Sequence, residues 1–200
     1  MTRRGLTLVE LLVALAVTTL VAAGVSSLLA GLGAGLAAGA DTRTAMLASA
    51  STHRRLVEAT SSMHAVLDAR DDITLLWFGD RTPGGEVELS EVAWLVLDRD
   101  RGTLSLETVL VDDDMDGLER ALFDETLSPA MDSAAMLARL RGRELIDRTD
   151  LADGLLDGGF TPREDRSGLA IEIVFDLETG PASWSSLLRF GGQPPLEWRP

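Results

Sequence analysis

The sequence RRGLTLVELLVALAV, residues 3–17, determines how the long N-terminal segment of this 200-residue chain is interpreted. It places two arginines and a glycine directly before a long apolar run that carries one acid, Glu10. An ionised carboxylate inside a membrane-length segment costs about 2.5–3.5 kcal/mol at the centre of a helix on insertion scales. We therefore expect Glu10 to have a function that compensates for this cost.

The apolar run is long enough to cross a membrane. Thirty residues without a charge, residues 11–40, separate Glu10 from Asp41. As a helix with a rise of about 1.5 Å per residue, this run exceeds the ~30 Å thickness of the hydrocarbon core of a bilayer. Arg3 and Arg4 precede the run, so the positive-inside rule places the N-terminus in the cytoplasm. The sequence therefore predicts a single-pass protein with residues 6–40 as the membrane helix.

Two other interpretations of this segment explain less of it. A cleaved secretory signal has an apolar core of ~7–15 residues, which is shorter than this run, and it carries no acid where Glu10 lies. A plain signal anchor accounts for the hydrophobicity and the orientation but leaves Glu10 unexplained.

The segment resembles the N-terminal signature of type IV pilins and type II secretion pseudopilins. In that family a prepilin peptidase cleaves a short basic leader after a glycine, and the fifth mature residue is Glu. The resemblance implies a leader of residues 1–5 that ends at Gly5, with Leu6 as the first mature and N-methylated residue. It also implies that Glu10 attracts the new N-terminal amine of a neighbouring subunit during assembly. Leu6 departs from the usual Phe, but cleavage depends chiefly on Gly5 and is expected to be retained.

Composition excludes several classes of function. The formal charge is -14, and so acidic a surface repels phosphate backbones, which argues against nucleic-acid binding. The chain has no cysteine, so it has neither disulfides nor thiolate metal sites.

The helical pattern continues beyond the membrane segment. Residues 41–71 contain neither Pro nor Gly and are rich in helix formers. Apolar residues recur there at spacings of three and four, as expected for one buried helix face. These residues are Leu56, Ala59, Met63, Val66 and Leu67. The sequence predicts one helix from about Leu6 to Asp68, about 95 Å long, with residues 41–72 as its outer half.

Alternation of apolar and polar residues predicts a β-rich domain over residues 73–200. Strands are expected at 73–78, 86–97, 103–111, 169–177 and 184–190, with a hairpin turn at 99–102. Short helices are expected at 117–123 and 133–143, with Ser128 or Asp132 as a cap, and a loop at 148–168. The predicted fold class is α+β, with the outer half of a long N-terminal helix packed on an antiparallel sheet. This arrangement is pilin-like, and the central hairpin is similar to that of minor pseudopilins of the J or PilW-like kind.

One acidic turn has the first half of a calcium-binding pattern. Asp112, Asp114 and Asp116 precede Gly117 as D-x-D-x-D-G, which would bring alternate carboxylates to one cation. The twelfth position, where a closing Glu belongs, is Phe123. An acidic turn after a strand is the alternative interpretation, and a bound calcium would need a more distant carboxylate.

No catalytic site is predicted. His53 and His64 are eleven residues apart on the predicted helix, on roughly one face but too far apart to share a metal. A Ser-His-Asp site would need one of these histidines to meet a nucleophile in the distal domain, and no GxSxG elbow is present. The four tryptophans, Trp77, Trp94, Trp184 and Trp198, are expected in the core or packed on the sheet.

The expected function is structural: a minor pilin or pseudopilin of the inner membrane, with its C-terminal domain in the periplasm or otherwise outside the cytoplasm. Its expected partners are the prepilin peptidase, other pilin or pseudopilin subunits and the membrane. The resemblance is compatible with machines that secrete proteins, retract pili or take up DNA. The alternative is a single-pass anchored binding domain outside any filament, dependent on calcium if the acidic turn binds it.

Overall fold

The computed structural model describes residues 8–79, 86–110, 125–177 and 180–198. The chain divides into two compact units, Met1–Thr44 and Ala45–Pro200. In the described part of the first unit the chain is helical throughout, as part of α1 (Leu8–Ala59). The second unit holds the end of α1, a short helix α2 (Ser133–Arg141) and the strands. An apolar N-terminal helix followed by antiparallel sheet confirms the predicted α+β class.

The helix ends nine residues earlier than the sequence predicts. The prediction of helix to Asp68 is wrong, because α1 ends at Ala59 and the chain turns into strand β1 (Ala65–Ala69). Thr60, the first residue after the helix, donates its hydroxyl to the Leu56 carbonyl at 2.7 Å. The apolar spacing that suggested helix has another origin, since Val66 and Leu67 lie on opposite faces of β1 and enter different parts of the core.

Over the residues that the structure describes, the strands form two larger antiparallel sheets and one short pair. The main sheet has the order β1-β2-β4-β5-β7, the small sheet has the order β10-β9-β8, and β3 pairs with β6. The remaining strands are β2 (Ile73–Trp77), β3 (Val87–Glu88), β4 (Val92–Asp98), β5 (Thr103–Val109), β6 (Thr126–Leu127), β7 (Ile146–Ala152), β8 (Leu155–Pro162), β9 (Gly168–Phe175) and β10 (Ala182–Arg189).

Most of the predicted elements are present in the described residues. The predicted hairpin is β4 and β5, paired in register from Ala93 to Asp98, although a 3₁₀ turn (Leu89–Glu91) precedes β4. The predicted strands at 73–78, 169–177 and 184–190 correspond to β2, β9 and β10. The predicted helix at 133–143 is α2, and Asp132 caps it by accepting from two backbone N–H groups. The helix predicted at 117–123 lies outside the described residues.

The prediction of a loop at 148–168 is wrong, because β7 and β8 occupy most of this range. Only Leu151 and Ala152 of β7 are buried, so this edge strand lacks the alternation that marks a half-buried strand. In β8, Gly158 allows close approach of β9, since a Cβ there would lie 2.6 Å from the Glu172 carbonyl oxygen.

The core lies on both faces of the main sheet. On one face, Leu95 and Leu106 pack with Ile171 of the small sheet and with Leu56 of α1. On the other face, Trp94 packs with α2 and with Trp198 near the C-terminus. Trp77, Trp94 and Trp198 are buried and Trp184 packs half-buried on the first cluster, which confirms the core assignment of the tryptophans.

Candidate functional site

The N-terminal part of α1 presents apolar side chains all round. Leu12–Ala30 is a 19-residue segment with a mean hydropathy of 2.2, and none of it is buried by the rest of the protein. Its large aliphatic side chains, from Leu12 to Leu29, are all more than half exposed. A helix that is apolar on every side is stable in hydrocarbon, whereas in water its exposed surface is unfavourable. The segment therefore has the length and the surface of a membrane span.

The two threonine hydroxyls within this segment are satisfied inside the helix. Thr18 donates its hydroxyl to the Ala14 carbonyl at 2.7 Å, and Thr19 donates to the Ala16 carbonyl at 2.9 Å. A polar group in hydrocarbon must find its partner within the protein, because no water is available there. Both threonines meet this requirement without a second helix.

The structure places one of the three residues predicted to direct processing and assembly. Glu10 lies in the first turn of α1, which begins at Leu8. Gly5 and Leu6 lie outside the described residues, and the cleavage and methylation assigned to them stay predictions.

The calcium prediction is likewise untested. Asp112, Asp114, Asp116 and Gly117 all lie outside the described residues. Over the residues that the structure does describe, no three His, Cys, Asp or Glu side chains are arranged to hold a metal ion.

The two histidines do not share a helix, and the prediction that they do is wrong for His64. His53 lies on α1, with Nδ1 3.1 Å from Ser186 Oγ and its ring edge-on to Trp184 at 6.1 Å. His64 lies in the turn after α1, and its ring packs edge-on against Trp77. Among the described residues no carboxylate is hydrogen-bonded to His53, so the His53–Ser186 contact joins α1 to β10 rather than forming a catalytic triad.

A polar cleft of about 540 Å³ lies where the β4–β5 turn, β5, β7 and the end of α2 meet. On its wall the Glu107 carboxylate, only 1% exposed, accepts from Arg141 Nε at 2.7 Å and from Arg141 Nη2 at 2.5 Å. The Ser105 hydroxyl lies 3.3 Å from the same carboxylate, and this ion pair raises the pKa of Arg141. Alternation in β5 places Glu107 and Ser105 on one face, but the long-range partner Arg141 has no local signal in the sequence.

Comparison with known proteins supports the interpretation of the N-terminus. Residues 1–26 match the family model of the prokaryotic N-terminal methylation motif, which is the type IV pilin and pseudopilin signature. Searches of curated proteins and of solved structures gave no match. The motif, together with the one helix among the described residues that is long and apolar enough to cross a membrane, indicates a pilin-like, membrane-anchored protein of the kind that prepilin peptidase processes, and points to a structural protein.

Proposed function

We propose that this chain is a minor pilin or pseudopilin of the inner membrane that is cleaved after Gly5, methylated at Leu6 and assembled into a filament. One observation carries the proposal: the methylation motif of residues 1–26 coincides with a helix whose span, Leu12–Ala30, is apolar on every side. Because Arg3 and Arg4 precede the span, the positive-inside rule favours a cytoplasmic N-terminus, with the second unit outside the cytoplasm.

The proposed assembly step depends on compensation of charge. Cleavage after Gly5 creates a positive amine on Leu6, and Glu10 of a neighbouring subunit carries the opposite charge. Each charge is costly in a low-dielectric medium, but two that meet at bonding distance offset much of that cost. Packing between apolar helices supplies most of the association energy, and the Glu10 contact fixes the register.

Leader processing is tested by co-expression with a prepilin peptidase. We expect a mature chain whose N-terminus is Leu6 by mass spectrometry, and we expect Gly5→Ala to remain uncleaved. Gly24→Ala is the matched control, because a Cβ at Gly24 meets nothing within 4 Å, and it should be cleaved like the wild type. An uncleaved wild-type chain contradicts the proposal.

Assembly is tested separately with Glu10→Leu, which removes the charge and keeps the helix. We expect normal cleavage and membrane insertion but at least a tenfold loss of the chain from sheared filament fractions. Glu58→Leu, on the exposed part of α1 in the second unit, is the control and should assemble. Normal incorporation of Glu10→Leu would contradict the charge-pair step, and absence of the wild-type chain from filament fractions would indicate an anchored domain outside any filament.

A further inference from the structure

The two larger sheets have four outer strands: β1 and β7 in the main sheet, and β8 and β10 in the small sheet. An outer strand presents unpaired N–H and C=O groups to any extended chain that approaches it. Proteins usually block such edges with bulges, prolines, charged side chains or covering contacts. Comparison of the four edges shows which of them is open.

The outer edge of β8 is obstructed at two of its three outward residues. The Arg163 N–H bonds to the Gly168 carbonyl, so strand alternation turns the backbone groups of Pro162, Phe160 and Gly158 away from β9. Pro162 has no N–H to offer. The Gly158 carbonyl already accepts from Arg99 Nη2 at 2.8 Å, and its N–H donates to Asp157 Oδ1 at 2.8 Å.

The two edges of the main sheet are also protected. In β1 a register shift between Val66 and Asp68 distorts the ladder, and the Val66 N–H bonds to the Arg166 carbonyl at 3.0 Å. In β7 three of the seven side chains are charged, namely Asp147, Arg148 and Asp150. Charged edge strands resist pairing because a partner strand must desolvate them.

Strand β10 has none of these devices. It pairs with β9 over eight consecutive residues without a bulge, it contains no proline, and its one charged residue, Arg189, is the last. The Phe190 N–H bonds to the Ser167 carbonyl at 2.7 Å, which sets the alternation of the ladder. The backbone groups that point outward are therefore those of Ser183, Ser185, Leu187 and Arg189. All four residues have exposed side chains, and none of their backbone groups has a partner among the described residues.

The strand is also held in place for pairing. Trp184 and Ser186, on the opposite face from the four exposed side chains, contact His53 of α1. Leu188 is buried in the first core cluster. An edge fixed on its inner face loses little conformational entropy when a partner strand binds.

We propose that the outer edge of β10 pairs with an extended strand of a different subunit of the same filament, an inference that rests on the proposed function. The partner must be extended polypeptide, because the exposed groups are a row of backbone donors and acceptors. Leu187, 44% exposed, favours an apolar neighbour on that strand, and Arg189 favours a carboxylate. A second copy fits less well, because β10 contains no acid to face Arg189 and two chains of charge -14 repel each other.

Hydrogen exchange distinguishes this pairing from other contacts. The full chain is compared alone in detergent and in filament complexes with its co-expressed sibling subunits that carry the methylation motif. In the chain alone, the amides of residues 183, 185, 187 and 189 should exchange fast and those of 184, 186 and 188 slowly. In the complex the four fast amides should become protected. If these four amides still exchange fast in the complex, the inference is overturned. If they are protected to the same extent in the concentrated chain alone, the edge pairs with a second copy, and the inference is also overturned.

Variants at the edge provide a second test. Ser185→Pro removes an outward N–H without removing a bond to β9, and it should lower incorporation into filaments at least tenfold. Ser185→Thr keeps the N–H and is the matched control. Leu187→Lys retains every backbone group and is used if the proline variant unfolds, as judged by thermal melting. If Ser185→Pro and Leu187→Lys are both cleaved and both assemble normally, the edge inference is overturned and the proposed function is not. An uncleaved wild-type chain overturns the proposed function and the edge inference together.

Discussion

At the scale of single residues, the Glu107–Arg141 pair shows how one buried charge holds two elements together. Glu107 lies on β5 inside the main sheet, and Arg141 is the last residue of α2. Because Glu107 is almost wholly buried, its carboxylate depends on the guanidinium for most of its hydrogen bonding.

Truncation of this arginine is expected to destabilise the domain. We expect Arg141→Ala to lower the free energy of unfolding by about 2–3 kcal/mol, since it leaves a buried carboxylate without its charged donor. The effect is moderated because the Arg141 side chain is itself about half exposed, at 45%. Arg143→Ala removes an exposed arginine nearby and should change stability by less than about 0.5 kcal/mol. Equal urea denaturation midpoints for the two variants would show that the ion pair contributes nothing.

Stability should fall in strong acid, partly through Asp165. Hydrogen bonds from Ser167 and from the Arg163 side chain lower the pKa of Asp165 to about 2 from its usual 3.8. A carboxylate with a lowered folded-state pKa stabilises the fold above its unfolded pKa, and this contribution is lost as the pH falls through the folded value. We therefore expect melting temperature to decline between about pH 4 and pH 2. Asp165→Asn should show a shallower decline, and an unchanged slope would contradict this assignment.

The residues of the proposed processing site could be named from the sequence because their signal is local. Gly5, Leu6 and Glu10 are assigned by spacing alone; the methylation motif confirms the signature that contains them, and their individual roles stay predictions. His64 was misplaced because its position depends on where α1 ends, and the chain leaves the helix to pair β1 with β2, which follows β1 in the sequence.

At the scale of elements, the sequence predicted strands that are apolar runs, such as β2, or that alternate, such as β5 and β9, and it missed β7 and β8, which show neither pattern clearly. β4 is an apolar run, apolar and polar residues alternate in β5, and the turn between them carries Gly102, so the hairpin was recognisable. Strand β7 is polar and lies at an edge, and β8 contains Gly158, which allows β9 to approach. Their existence depends on neighbouring strands that are distant in sequence.

Substitutions at two turn glycines distinguish the effect of backbone strain from that of steric clash. Gly102 and Gly154 have nearly the same positive φ, 64° and 66°. A Cβ at Gly102 would lie 2.7 Å from the Leu155 carbonyl oxygen, whereas a Cβ at Gly154 meets nothing within 4 Å. We expect Gly154→Ala to lower the free energy of unfolding by about 1 kcal/mol, because alanine is strained at this positive φ. Gly102→Ala should lower it by at least about 1 kcal/mol more, because the new Cβ also overpacks against Leu155. Chemical denaturation measures the free energy of unfolding of both variants. Equal losses would mean that the backbone at Leu155 shifts to relieve the clash without loss of stability.

At the scale of the whole molecule, the second unit has a complete core of its own. Both clusters are built from residues after Ala45, and α1 contributes Leu56, which is fully buried, to the first of them. Local patterns predicted the helix and most strands, but not that α2 and the small sheet would cover opposite faces of the main sheet. That arrangement is set by packing between distant parts of the chain.

Two truncations test this division. A chain that begins at Ala45 should be soluble and unfold cooperatively, since it keeps every buried residue of both clusters. A chain that begins at Thr60 loses the last turns of α1 and exposes the surface that Leu56 covers. Loss of a buried leucine alone costs about 2–5 kcal/mol, so the shorter chain should be unfolded or molten by near-UV circular dichroism. Equal cooperativity of the two chains would show that α1 is dispensable to the domain.

The C-terminal segment imposes an order on biosynthesis. Phe190 enters the first core cluster, the Gly192 N–H bonds to the His64 carbonyl, and Trp198 enters the second cluster. Neither cluster is complete until these last residues have emerged from the ribosome. Under the proposed function, the apolar helix, which precedes these residues in the chain, reaches the bilayer while the domain behind it is still unfinished and able to pass through a translocation channel.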